Sequence, residues 1–332
     1  MVKPWLWLPP SVAHHAALSA LDVFESVACK KAPEWAPFSW RGIQFPNRLG
    51  LAGGVDKNAD HVRSWQHFGA GFIEVGTVTP KPQTQNDGKV IDRHVPTKSL
   101  WNRFGFPNKG SDYVANRLEK IAQQRQNGSG HSPIFLNIGK NRNTPNESAH
   151  LDYVHLIEKM NTLASAIVIN ISSPNTKDLR ALLEKQNLKT FLTPVVKANT
   201  KKIPLLLKLT PDLTTEDLQN ALSVSLDLGI DGWILTNTSA TIRDGLPFVN
   251  DMGGVSGLAL CARSREVLKE TLNLLGKDRN DKLVISCGGI STSDEIKKRL
   301  DMGADLVQVY SSLVFEGPGF FRKIASEMVS KK

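Results

Sequence analysis

Cysteine is scarce in this chain, with Cys29, Cys261 and Cys287 the only three among 332 residues. They form no CxxC spacing and leave an odd count, which argues against a disulfide framework or a structural zinc site and fits a reducing compartment. Long apolar runs are missing too. No stretch approaches the ~20 residues that a membrane span requires. The N-terminus lacks the basic start and continuous apolar core of a signal peptide. Any membrane contact is therefore expected to be peripheral. Low-complexity segments and short-period repeats are absent, and 40% hydrophobic with 22% charged residues is the composition of a folded globular chain. The net charge of +9 arises from 41 basic and 32 acidic residues. They are scattered, without a basic block or stripe. That argues against a nucleic-acid partner and leaves an anionic substrate or an anionic lipid surface.

What is present is alternation. Short apolar runs recur at Leu49 to Gly53, Phe72 to Thr79, Ile134 to Gly139, Ile167 to Ser172, Leu205 to Thr210, Trp233 to Thr238, Leu283 to Gly289 and Leu306 to Ser312. Amphipathic segments lie between them, such as Leu151 to Leu163 and Glu216 to Leu228, the latter preceded by Thr214 and Thr215 as candidate N-caps. Eight such units point to a closed parallel (β/α)8 TIM barrel rather than an open sheet. Almost every run ends in a polar or glycine-rich signature: Asp56-Lys57, Thr77, Asn137, Asn170, Lys208, Asn237, Gly288-Gly289 and Tyr310-Ser311. One such residue is an ordinary turn or cap. A full set matches the strand C-termini at which barrel enzymes do their chemistry.

The segment before the first run stands apart, and we divide the chain into an N-terminal helical extension, residues 1–40, and a barrel, residues 41–332. Pro9-Pro10-Ser11 marks a helix start. At 100° per residue, Val12, Ala13, Ala16, Ala17, Ala20, Leu21, Val23, Phe24, Val27 and Ala28 share one face, opposite His15, Ser19, Asp22, Glu25 and Ser26. Trp5, Trp7, Trp35 and Trp40 fall nearby, and tryptophan favours surfaces that are apolar on one side and wet on the other. Two readings follow, a helix packed on the barrel or one facing a membrane.

The strongest local signal is Asn170-Ile171-Ser172-Ser173-Pro174-Asn175-Thr176 after the fourth run. It offers a hydroxyl together with amides suited to a planar polar ligand. It lacks the G-x-S-x-G elbow of hydrolases and an Asp-His pair, so proton abstraction is favoured over acyl transfer. Loops after the last two barrel strands commonly bind phosphate through backbone N–H groups, which makes Gly288-Gly289 and Tyr310-Ser311 candidates. Gly257, beside Ser256 in the loop after the sixth run, permits a close backbone approach. Lys208 at a strand end could serve as a cation or as a Schiff-base amine.

The Asn-Ile-Ser-Ser-Pro-Asn-Thr loop resembles the active-site loop of dihydroorotate dehydrogenases that use a serine base. Further motifs match in order: Leu51 to Lys57, Glu74 to Pro80, Asn102 to Phe106, Asn137 to Asn141, Lys208 to Asp212, Thr236 to Thr238, Gly253 to Gly257 and Val307 to Ser311. Together they cover nearly the whole chain. The resemblance implies an FMN across the barrel mouth, with dihydroorotate or orotate stacked on its ring. Ser173 would act as base, with Thr176 relaying its proton through a water. Lys57, Asn102, Arg103, Phe104, Gly105, Phe106, Asn175, Asn237 and Thr238 would surround the substrate. Gly53, Gly54, Val55, Asp56, Lys57, Thr77, Asn137, Asn170, Lys208 and Thr236 would meet the flavin, with Gly257, Gly288, Gly289, Tyr310 and Ser311 towards its phosphate.

The N-terminal extension resembles that of the quinone-linked class 2 members. It implies ubiquinone or menaquinone as acceptor, His14 and Arg93 near the quinone, and a peripheral place on the cytoplasmic side of the cell membrane. Three residues depart from the family pattern. Gly53 and Asp178 stand in place of alanine and glycine, and Asp92 precedes Arg93 where an aromatic is usual. Competing readings are a class 1 type flavin barrel, a phosphate-sugar isomerase or aldolase using Lys208, and a membrane-binding scaffold.

Overall fold

A computed structural model describes residues 3–26, 30–125, 131–248 and 252–330, apart from the side chains of Pro10, Ser11, His14, His15, Leu18 and Ser26 in the first helix. Thirteen strands are present among the described residues. A hairpin of β1 (Phe38–Trp40) and β2 (Ile43–Phe45) precedes β3 (Leu49–Asp56) and β4 (Phe72–Val78). Then come β5 (Ile91–His94), β6 (Ser99–Asn102), β7 (Ile134–Ile138), β8 (Ala166–Asn170), β9 (Leu205–Leu209) and β10 (Gly232–Leu235). The last are β11 (Gly254–Gly257), β12 (Leu283–Cys287) and β13 (Leu306–Val309). Eight of them, β3, β4, β7, β8, β9, β10, β12 and β13, close a parallel barrel in that order, with β13 pairing back to β3. These are the eight runs anticipated from sequence. Most are buried along their whole length, as expected where helices cover one face and side chains fill the other.

Helices α1 (Pro10–Ser26), α2 (Val62–Phe68), α3 (Gly110–Arg125), α4 (Ala149–Met160) and α5 (Lys185–Lys197) are followed by α6 (Thr215–Asp227), α7 (Cys261–Leu275), α8 (Ser293–Asp301), α9 (Ser311–Glu316) and α10 (Phe320–Ser330). Of the two candidate caps of α6, Thr214 is the one used, its hydroxyl accepting from Asp217 N at 3.1 Å. The β1–β2 hairpin, which straddles residue 40, plugs the bottom of the barrel. Phe45 meets Phe72 and Phe135 edge-on, with ring centroids 5.8 and 6.0 Å away.

Two features were not anticipated. The segment ending in Gly257 is a strand rather than a loop: β11 pairs antiparallel with β6, and β6 with β5, forming a separate three-stranded sheet. The insertions after β4 and β10 find each other and become regular because each satisfies the other's backbone groups. Further, Trp35 and Trp40 are buried, only 2% and 6% exposed, so only Trp5 and Trp7 belong to the extension's surface.

Helix α1 does not pack flush on the barrel. Leu21 is buried, and Glu25 accepts from Ser64 N and Oγ at the start of α2, both at 3.0 Å. The alanines of the same face instead border open space. Val27 and Ala28, expected on that face, lie outside the described residues.

Candidate active site at the barrel mouth

The C-terminal ends of the barrel strands converge on one cavity. It is lined by Gly53, Gly54, Lys57, Thr77, Asn170, Ser173, Asn175, Lys208, Thr236, Asn237 and Thr238. Gly257, Gly288, Gly289, Tyr310 and Ser311 line its other end. The β5–β6–β11 sheet roofs one side and brings in Asn102, and the segment behind it brings Phe104, Gly105 and Phe106.

A continuous amide and hydroxyl network organises the substrate half. Asn170 Nδ2 donates to Thr77 Oγ1 at 3.0 Å and to Asn137 Oδ1 at 3.2 Å, while its Oδ1 accepts from Asn237 Nδ2 at 3.3 Å. Asn237 Nδ2 also reaches Ser172 Oγ at 3.1 Å. Asn175 Nδ2 donates to Asn102 Oδ1 at 3.0 Å, joining the Ser173 loop to β6. Ser173, 3% exposed, accepts from the Asn175 backbone N–H at 3.1 Å. Donation to this oxygen favours its deprotonated form, which a serine base requires. Two buried acceptors in the network, Asn175 Oδ1 and Thr238 Oγ1, have no protein partner. Such atoms at a cavity wall mark where a ligand's polar hydrogens would bind.

Beneath the cavity the barrel holds a charge that the sequence reading did not single out. Glu74, in the middle of β4 and fully buried, accepts from Lys208 Nζ at 3.0 Å, Gln308 Nε2 at 2.6 Å and Asn137 Nδ2 at 2.5 Å. A buried charge survives only when paired and hydrogen-bonded, and these three donors supply that. Of the two roles open to Lys208, this pairing matches that of a fixed cation at the strand end. The signal for Glu74 was an acid inside an otherwise apolar run. Cys287 also lines the cavity. Burial pushes its thiol up to about 11, so at neutral pH it is no competing base.

The far end of the cavity is a backbone cradle. Gly289 has φ +69°, and a Cβ there would fall 2.4 Å from Cys261 Cα; Gly257 has φ +88°, and a Cβ would fall 2.2 Å from Lys98 O. Only glycine allows these turns. Ser256 Oγ and Ser311 Oγ lie 2.9 Å apart beside them, and α9 starts at Ser311, a short extra helix where barrels commonly place a phosphate.

Some of the expected residues do not line the mouth. Asp56 turns away from the cavity and accepts from Asp60 N at 3.0 Å and His61 N at 2.9 Å, a turn role; burial nevertheless holds its carboxyl above the usual range. Val55 faces the second cavity described below. Asn137 lies under the mouth within the Glu74 cluster, Thr176 is buried outside the lining, and Arg103 is half-buried beside it. No direct hydrogen bond joins Ser173 and Thr176 among the described residues. At the departure Asp178, φ is +52°, so the position does require the left-handed conformation, and aspartate adopts it.

A second cavity of about 400 Å³ lies between α1 and the barrel. Its walls are mostly apolar, including Ala16, Ala20, Phe24, Trp65 and Leu313, and it shares Tyr310 with the mouth. Arg93 borders it, but its guanidinium donates to Trp5 O, Leu6 O and Leu8 O and so pins the N-terminal turn Pro4–Trp7. Asp92 does not pair with that guanidinium; its carboxylate takes Lys89 Nζ at 2.7 Å and the Arg93 backbone N–H at 2.9 Å. The side chain of His14 lies outside the described residues.

A parallel barrel with an amide-rich pocket, a buried lysine and a glycine cradle at one mouth has the architecture of a barrel enzyme. The family model for dihydroorotate dehydrogenase matches residues 38–331. A dihydroorotate dehydrogenase (quinone) from Acinetobacter baylyi is 38% identical, over 98% of each chain. One from Coxiella burnetii is 37% identical over 97% of this chain and 94% of that protein. A solved DHODH from Eimeria tenella, in complex with ferulenol, superposes with a TM-score of 0.88 at 30% identity, covering 99% of this chain and 92% of that one. The chain belongs to the dihydroorotate dehydrogenase family, within its quinone-linked class, and is an oxidoreductase. Members of this family are generally flavin-dependent.

Lys57 gives the mouth a pH-dependent charge. Its Nζ sits 4.9 Å from the Phe104 ring centroid, and burial lowers its pKa to about 8 against the opposing pull of Asp56. The charged form therefore prevails below pH 8 and fades above it. Orotate, a planar carboxylate, is expected to bind the protein progressively more weakly above that point, by up to about tenfold per pH unit, and Lys57→Gln should abolish the trend. Titrations followed by absorbance at several pH values check this, and equal affinity at pH 7 and 9.5 would contradict it.

Proposed function

We propose that this chain oxidises dihydroorotate to orotate, with FMN held across the barrel mouth and ubiquinone or menaquinone as electron acceptor, in the de novo formation of pyrimidine nucleotides. The observation that carries the reading is the Ser173 loop, whose hydroxyl shares one cavity with Lys57, Asn102, Asn175, Asn237 and two unpartnered buried acceptors. Dihydroorotate has the matching chemistry: a carboxylate for Lys57, ring N–H donors for Asn175 Oδ1 and Thr238 Oγ1, and carbonyls for the amide nitrogens.

The residues also fit FMN. Gly257, Gly288, Gly289, Ser256 and Ser311 would hold its phosphate, Thr77, Asn170 and Thr236 its ring, and Lys208 the pyrimidine edge of that ring. When bound, FMN supplies a two-electron acceptor that takes the C6 hydrogen of the substrate as hydride. The protein's own part is to bind, orient and move one proton. Ser173 Oγ removes it from C5, aided by the Asn175 N–H, and Thr176 passes it on through a water, the two hydroxyls being three residues apart in one loop. Lys208 offsets negative charge arising above it, and Glu74 keeps that lysine in place. Enclosure by the β5–β6–β11 sheet excludes water and orients the ligand.

The second cavity is where a quinone would enter. It is apolar, lies next to the mouth through Tyr310, and is bounded by the extension. Trp7, Leu8, Val12 and Val23 expose 78%, 42%, 50% and 64% of their surface on that extension. Solvent-facing apolar groups of this kind suit a peripheral, interfacial seat, on the cytoplasmic face of the cell membrane. No helix among the described residues is long and apolar enough to cross a membrane.

Two outcomes are expected. Ser173→Ala should retain FMN but slow anaerobic flavin reduction by dihydroorotate at least about 100-fold in stopped flow; an unchanged rate would remove Ser173 as base. Placing charge on the extension, as in Trp7→Glu with Val12→Glu, should weaken binding to anionic lipid vesicles and lower quinone reduction more than reduction of a soluble dye. Equal loss with both acceptors would count against the entrance.

A further inference from the structure

The reaction needs the Ser173 loop and the Asn237-Thr238 segment held in one geometry, yet they follow different strands, β8 and β10. Asn237 Nδ2 meets Ser172 Oγ within the site, and a further side chain, outside the cavity, joins the two backbones. Arg180 Nε donates to Ser172 O at 2.9 Å, immediately before the base, and Arg180 Nη2 donates to Thr238 O at 2.9 Å. Its remaining nitrogen, Nη1, donates to Asp212 Oδ2 at 2.7 Å. Asp212, in the loop after β9, gathers the turn that follows Thr238: Ser239 Oγ bonds Oδ1 at 2.5 Å and the Ala240 N–H bonds Oδ2 at 2.6 Å. The ion pair is largely sheltered, with side chains 23% and 9% exposed.

The geometry points to Arg180, with Asp212, as a positioning latch that locks the base loop to the substrate-amide loop. The inference rests on the proposed function, since it concerns the same site. The planar guanidinium directs three donors at three loops, which the single ammonium of lysine cannot reproduce. The backbone delivers it there: Asp178, with φ +52°, turns the chain into the short helix Leu179–Leu183, and the reversal returns Arg180 to Ser172. Neither Arg180 nor Asp212 lines the mouth, so the latch acts through Ser172 and Thr238 rather than on the ligand. Loosening it displaces the base relative to the amides, and misplacement near 1 Å costs about 100-fold in rate.

The test uses the FMN-loaded full chain with Arg180→Ala, Arg180→Lys and Asp212→Asn. Flavin reduction by saturating dihydroorotate, counted per bound flavin, is expected to fall about 10- to 100-fold in Arg180→Ala and less in Arg180→Lys. Orotate affinity, read from the flavin absorbance change, should weaken in both. Millimolar guanidinium should restore Arg180→Ala more than the same concentration of sodium chloride. A wild-type rate per bound flavin in these variants, or restoration equal with both salts, would overturn the latch. If Arg180→Ala does not fold, Arg180→Lys and Asp212→Asn decide alone, and wild-type rates and affinities in both would defeat it. Wild-type protein run alongside separates the claims. Failure of dihydroorotate to reduce its flavin defeats the proposed function and the latch together, whereas reducible wild type with unaffected variants defeats the latch only.

Discussion

Closure of eight parallel strands sends every strand's C-terminal end to one rim, and the rest of the molecule follows from that constraint. The strands interlock through apolar side chains on both faces, so polar groups are tolerated only at the rim or where they satisfy one another inside. Asn170, Lys208 and Asn237 come from different strands and meet at the mouth because the barrel leaves them nowhere else to go. The bottom is closed by aromatic packing of Phe45, Phe72 and Phe135, which leaves the upper end free to carry chemistry.

Two ion pairs extend this order in different directions. Glu74 and Lys208 bridge the barrel interior under the cavity, and Arg180 and Asp212 tie the loops above it. Neither pair is expected to add much net stability, because desolvation offsets most of the Coulombic gain. Their contribution is geometric. The first holds Lys208 at a fixed point under the cavity, and the second ties the Ser173 loop to the Asn237-Thr238 segment. The extension is built on a different principle, a loosely seated amphipathic helix that leaves an apolar cavity rather than filling it.

The barrel was legible because its signal is repeated: eight apolar runs, each ending in a polar residue. The family resemblance then named most of the mouth, and Ser173, Asn175, Asn237 and the glycine cradle do gather there. Direction was harder to read than membership. Asp56 and Asn137 sit at strand ends like the others, but the strand register and the following turn aim one at backbone N–H groups and the other beneath the cavity. The β5–β6–β11 sheet was invisible because its pairing partners, such as Asn102 and Gly254, are distant in sequence and its strands lack alternation. Nothing local marks Arg180 as special, because its role depends on three carbonyl and carboxylate oxygens that the fold assembles. The tryptophans misled in part, since burial of Trp35 and Trp40 is decided by the barrel rather than by the extension.

The central claim is that this mouth holds a flavin which dihydroorotate reduces. Anaerobic addition of dihydroorotate to the purified protein incubated with FMN tests it most directly, with the visible flavin absorbance recorded before and after a quinone is supplied. The account predicts that the absorbance bleaches as orotate forms and returns on quinone addition. A protein that takes up no FMN, or whose bound flavin stays oxidised with excess dihydroorotate, would contradict it.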